Sequence, residues 1–238
     1  MSKDLVVIPA HNEEETIYEV VIRSLKHADV SVTDDGSLDK TAYILKVIDA
    51  ECNQGKHSHR LNIITHPVAT HIPKGLQDGF IFGMNANYDF IVTMDAGLSH
   101  DPDALPDFLN YNPNIDVVIG TRGKTKNVPF HRKVVSALAK RVVNYALTDS
   151  YFDLSGPGIK DCTSGYRRFS KRACALIAKT KLKSKAFDFH MEALALCYRA
   201  GMKVEEIPIN YVFSNSSFNN KVLKQAIKFG IHLMSTKK

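Results

Sequence analysis

Over the first 120 residues, short apolar runs alternate with amphipathic ones. "DLVVIP" at 4–9 is a continuous apolar run of the kind shown by a strand buried on both faces. In "EEETIYEVVIRSLKHA", which follows, Ile17, Val20, Val21 and Leu25 recur at helical spacing. "DVSVTDD" predicts a second strand and "SLDKTAYILKVIDAE" a second helix, with Ser37 or Asp39 placed to cap it. "RLNIITH", "YDFIVTMD" and "IDVVIGTR" predict three more strands, with helices over "GLQDGFIFGMNA" and "PDALPDFLNY" between them. Alternation with short connections predicts a parallel, doubly wound α/β sheet.

After Arg122 the texture changes. "KTKNVPFHRK" reads as a basic loop, "RKVVSALAKRVVNYALT" as an amphipathic helix, and "DCTSGYRRFSKRACALI" as a strand turning into a helix. "FDFHMEALALCYRAG" predicts a helix ended by Gly201, and "MKVEEIPINYVF" a strand. A last basic amphipathic helix is expected over 219–235.

Open parallel sheets bind ligands beyond the carboxyl ends of their strands. Those ends here read "PAHNE", "TDDGS", "MDAG" and "GTR", four polar or acidic segments in a row. A GxGxxG fingerprint is missing after the first strand, and so is a GxxxxGK[ST] loop, which argues against dinucleotide dehydrogenases and P-loop NTPases.

Charge sharpens the division. Residues 1–120 carry 8 Lys and Arg against 18 Asp and Glu, and residues 121–238 carry 23 against 7. The basic second half is therefore expected to meet something anionic, such as phosphate or lipid headgroups. It lacks the regular aromatic interleaving of a nucleic-acid surface. The four cysteines form no CxxC pair, and no apolar run is long enough for a signal core or a bilayer span. The expectation is a cytoplasmic protein, either free or peripheral on the membrane.

Taken in order, "VVIPAHNEEETI", "TDDGSLDKT", "FIVTMDAGLSHDPDALPDF", "DVVIGTR", "SGYRRF", "FDFHMEAL" and "VEEIPINYVF" resemble glycosyltransferase family 2, of GT-A fold, and within it the dolichol-phosphate mannosyltransferase type. The resemblance runs through nearly the whole chain. It implies a single GT-A domain, with 1–122 as the nucleotide-sugar half and 123–238, including basic C-terminal helices, as the acceptor half.

The implied function is inverting transfer of a sugar from a nucleoside-diphosphate sugar to a polyprenyl phosphate, assisted by Mg²⁺ or Mn²⁺. Pro9, His11, Glu13, Thr33 and Asp35 would line the nucleotide pocket, with Asp95, Ala96 and Arg122 completing it. Asp95 matches the first carboxylate of the family's Asp-x-Asp metal motif, but Gly97 stands where the second is expected. Asp95 with Ser99 would then hold the cation, more weakly than usual and with help from the diphosphate.

Arg122, Arg132 and Lys221 would meet phosphates on the acceptor side, with Asn215 where the mannosyltransferase branch has an arginine. An alcohol acceptor needs a general base, for which Glu192 and Asp161 are the candidates, whereas a phosphate acceptor is already ionised. Two alternatives stay open: the same donor chemistry onto a saccharide or protein hydroxyl, and a degenerate, non-catalytic nucleotide-binding protein.

Overall fold

The computed structural model describes residues 3–126, 130–148 and 155–212, with Phe229 and His232; for 123–126, 130–136, 138, 139 and 212 it is the backbone that is described. Seven strands, β1 (Asp4–Ala10), β2 (Asp29–Asp35), β3 (Leu61–His66), β4 (Phe90–Thr93), β5 (Val117–Lys126), β6 (Arg167–Ser170) and β7 (Val204–Val212), form one sheet in the order β3-β2-β1-β4-β6-β5-β7. The helices are α1 (Ile17–Ser24), α2 (Thr41–Asn53), α3 (Ile72–Asn85), α4 (Leu105–Leu109), α5 (Phe130–Leu147), α6 (Lys171–Lys179) and α7 (Phe189–Arg199).

All strands run parallel except β6, which is antiparallel to both of its neighbours. This is the mostly parallel α/β sheet expected from the pattern, with one difference. β4 and β5 follow each other in the first 120 residues, yet β6 lies between them, so the two halves of the chain share one sheet. Local pattern cannot show this, because strand order is fixed by contacts between distant segments.

The continuous apolar run of β1 serves both faces of the sheet. Leu5 and Val7 join the core under α3, α6 and α7, while Val6 and Ile8 join the core under α1 and α2. All four are fully buried, worth about 1.5–3 kcal/mol each by transfer.

α3 begins at Ile72, ahead of the expected Gly75, and takes Pro73 into its first turn, where the missing N–H costs nothing. It lies close on the sheet because Gly79 and Gly83 have no side chain. A Cβ at Gly79 would stand 2.3 Å from Val7 Cγ1, and one at Gly83 2.5 Å from Ile91 Cδ1.

β6 carries two adjacent arginines, both fully buried. Arg168 donates to the carbonyls of Phe108, Tyr111, Asn112 and Ile115, which satisfies the backbone at and after the end of α4. Arg167 donates to the carbonyls of Cys162, Ser164 and His190, tying the segment before β6 to the start of α7. Burial pushes the Arg167 guanidinium down to about 10, still cationic at neutral pH. No helix among the described residues is long and apolar enough to cross a membrane.

Candidate active site at the carboxyl ends of the strands

The loops after β1 and β2 are stitched together. His11 Nδ1 donates to the Asp35 carbonyl at 2.8 Å, Asn12 N–H donates to Ser37 Oγ, and Leu38 N–H donates to Asn12 Oδ1. Ser37 therefore joins the two loops and does not cap α2. Asp39 receives the Thr41 N–H at 2.9 Å. Gly36 has φ +69°, and a Cβ there would stand 2.8 Å from the backbone of Val68 and Ala69, so only glycine fits this turn.

Two expected nucleotide contacts have other duties. Thr33 is fully buried, and its hydroxyl donates to the Gly75 carbonyl, fastening β2 to α3. Asp35 accepts from Thr70 N–H, Thr70 Oγ1 and His71 N–H and pairs with His66 Nδ1 at 2.7 Å. Burial opposes its charge, but these hydrogen bonds prevail and hold its carboxyl below the usual range. Asp35 thus shapes the 66–71 wall. Pro9 and Glu13 are partly exposed, His11 is exposed and Ala96 is buried.

Asp95 is the carboxylate that faces outward at the end of β4, with its side chain 39% exposed. Its backbone N–H donates to Nδ1 of His100 at 3.2 Å. His100 is packed between the rings of Tyr166 and Tyr211, and burial keeps it neutral by lowering its pKa. Glu13 is held above the usual carboxylate range by burial, against a hydrogen bond from Thr16, and further by the charges of Asp95 and Asp39. β1 and β4 pair in parallel, so their carboxyl ends, with Glu13 and Asp95 just beyond them, lie side by side.

Arg122, at the end of the apolar part of β5, forms a two-pronged pair with Asp161, Nε to Oδ2 at 2.7 Å and Nη2 to Oδ1 at 2.8 Å. Nη2 also donates to Thr163 Oγ1. Burial would raise Asp161, but the hydrogen bonds and charge of Arg122 bring it down to about 2. A carboxylate so held is a poor proton acceptor near neutral pH. Asp161 is thus engaged with Arg122, which it orients.

Glu192 is likewise engaged within the protein. Its buried carboxylate receives the N–H groups of Lys183 and Ser184 at 2.9–3.1 Å, which fixes the loop between α6 and α7. Ser99, expected beside Asp95 as a cation ligand, is almost fully buried. Lys221 and the 219–235 helix lie outside the described residues apart from Phe229 and His232, and of Arg132 only the backbone, within α5, is described.

Sequence reasoning missed His190. It is buried at the first turn of α7, neutral because burial and then Arg167 lower its pKa. A Cβ on Gly165 would stand 3.0 Å from His190 Nε2 and 3.1 Å from Asp95 Oδ1, so Gly165 keeps clearance between them. A lone histidine on an apolar helix carries no signal of this, since the contact depends on a loop some 25 residues away in sequence.

A divalent cation requires hard oxygen ligands. Asp95 provides an exposed carboxylate, and among the described residues no group of three or more His, Cys, Asp or Glu side chains is placed to hold a metal. A Cβ on Gly97 would meet nothing within 4 Å, so the space a second carboxylate would use is open. The residues fit a cation that brings oxygens of its own from a diphosphate.

A family model described as Glycosyl transferase family 2 matches residues 5–174. The chain is 28% identical over 215 residues to an undecaprenyl-phosphate mannosyltransferase of Micrococcus luteus, covering 87% of this chain and 83% of that protein. It is 30% identical over 226 residues to a UDP-N-acetylglucosamine–dolichyl-phosphate N-acetylglucosaminyltransferase of Methanococcus voltae, covering 89% and 86%. Among solved structures, glucosyl-3-phosphoglycerate synthase from Mycobacterium tuberculosis, in complex with Mn²⁺ and UDP-glucose, superposes with a TM-score of 0.69 at 19% identity, over 98% of this chain and 79% of that one. A family match over most of the chain, on a mostly parallel sheet whose strand ends are polar, makes this protein a member of glycosyltransferase family 2, an enzyme of GT-A fold.

Proposed function

We propose that the enzyme moves a hexosyl group, with inversion, from a nucleoside-diphosphate sugar to a polyprenyl phosphate. One observation carries this choice of acceptor. Both carboxylates considered as general base are committed, Asp161 to Arg122 and Glu192 to the Lys183–Ser184 backbone. An ionised phosphate attacks without losing a proton, so it needs neither. The relatives named for undecaprenyl-phosphate and dolichyl-phosphate substrates support the same acceptor class.

The residues divide the work. Pro9, His11 and Glu13 border the nucleotide, with Thr33 and Asp35 holding that wall from behind. Asp95 and the donor diphosphate would hold Mg²⁺ or Mn²⁺, which supplies charge neutralisation for the leaving nucleoside diphosphate. His100 steadies the Asp95 backbone as a neutral group and so adds no positive charge that would compete with the cation. Arg122, aimed by Asp161 and Thr163, presents its remaining N–H donors to phosphate oxygens. Inversion follows if the acceptor oxygen approaches the anomeric carbon opposite the departing diphosphate.

The test pairs a short-chain polyprenyl phosphate with the free alcohol of the same chain, using UDP- and GDP-hexoses with Mn²⁺. Glycosylated phosphate is the expected product, with inverted anomeric configuration. Equal transfer to the free alcohol would remove the reading and restore a hydroxyl acceptor.

A further inference from the structure

A cavity of about 470 Å³ opens between the start of α3 and the loop from α6 to α7, with Thr70, His71, Lys74, Lys181, Ser184 and Lys185 in its lining. The lining holds three lysines and no carboxylate. Lys74 shares its charge with Asp78, whereas Lys181 and Lys185 have no carboxylate partner among the described residues. Ser184 is 8% exposed, and its hydroxyl has no hydrogen-bond partner in the protein. A buried hydroxyl left without a partner is costly, and it is best satisfied by a ligand acceptor.

The backbone around the cavity is held at several points. Asp35 holds Thr70 and His71, Glu192 holds the Ser184 N–H, and Asp188 receives the Lys185 and Ala186 N–H groups. Gln77 ties α3 across to the carbonyls of Ile177 and Thr180. Three buried carboxylates are thus spent on shaping a space rimmed by cations. The cavity and the candidate site share supports: Asp35, which holds Thr70 and His71, ends β2, and the helix that bears Glu192 places His190 against Gly165 beside Asp95.

We propose that this cavity binds an oxyanion belonging to a substrate, either the carboxylate of an acidic donor sugar or the phosphate of the acceptor. Ammonium groups at the rim and a buried donor hydroxyl suit either anion, because charge-assisted hydrogen bonds favour ionised oxygens. That the anion belongs to a substrate rests on the transfer reading above; that the cavity takes an oxyanion does not.

The experiment is a thermal-shift titration with inorganic phosphate at constant ionic strength, on protein already saturated with UDP or GDP so that the diphosphate site is filled. Saturable stabilisation is expected in the wild type. In the Lys181→Gln/Lys185→Gln double variant phosphate should bind about tenfold more weakly or worse, and in Ser184→Ala several-fold more weakly, with the nucleotide response unchanged. An identical phosphate response in wild type and double variant overturns the proposal. A phosphate response without any nucleotide response leaves the cavity standing and removes the donor reading.

The source is read by competition with phosphate. Displacement by a nucleoside-diphosphate hexuronate but not the hexose assigns the sugar, and displacement by a short isoprenyl phosphate assigns the acceptor. If neither displaces phosphate, the cavity serves no substrate and the proposal falls.

Discussion

At the scale of single residues, carboxylates that look interchangeable in sequence divide into those that face outward at the strand ends and those that hold the surrounding loops together. Asp95 faces outward and Glu192 does not, so their variants should fail differently. Glu192→Gln keeps the shape but offers an N–H₂ group where two backbone donors need acceptors. Unfolding free energy should fall by about 1–3 kcal/mol, read by urea titration, with activity per folded molecule largely kept. Loss of turnover without loss of stability would return Glu192 to the chemistry. At Gly97, where a side chain meets nothing, Gly97→Asp should tighten Mn²⁺ binding in the presence of nucleoside diphosphate, measured calorimetrically. Unchanged affinity would place the cation away from Asp95. Asp161 sets a pH dependence: its folded pKa of about 2 lies below the ordinary 3.8, so the stabilisation is whole above pH 3.8 and disappears as pH falls towards 2. The loss is on the order of 2 kcal/mol, and Arg122→Ala should flatten this part of the stability curve.

At the scale of elements, α3 organises both the core and the site. Its glycines let it approach β1 and β4, and its first turn forms one wall of the lysine-rimmed cavity. Gly79→Ala would place a methyl group into Val7, so overpacking should cost about 1–3 kcal/mol despite alanine's better helix propensity, measured as a lowered melting temperature. A stabilised variant would mean that the helix can slide outward. The helical pattern here was legible from Leu76 and Phe80, but its start was not. The first turn, with Pro73, carries no apolar period, and it is ordered by the tie from His71 to Asp35.

At the scale of the whole molecule, the charge division acquires a direction. Acidic strand ends gather at one edge of the sheet, and the second half adds β6 and β7 to that sheet and the lysines of the α6–α7 loop to the cavity rim. If the basic half rests on anionic lipid, binding to vesicles with phosphatidylglycerol should weaken steeply between low and physiological salt and be negligible on neutral vesicles, as cosedimentation would show. Salt-independent binding would point to apolar insertion instead.

The order of elements, the two-sided burial of β1 and the polar strand ends, Asp95 and Arg122 among them, were all determined by the sequence, because they depend on local periodicity and on which residue types end a strand. The place of β6 between β4 and β5 was decided only by tertiary structure, as were the engagement of Asp35, Asp161 and Glu192 with partners in the protein and the convergence of His190, Gly165 and Asp95. Most of these depend on distant segments meeting in space, and even Glu192, whose partners are only eight and nine residues away, takes its role from which donors reach it, which no spacing along the chain reveals.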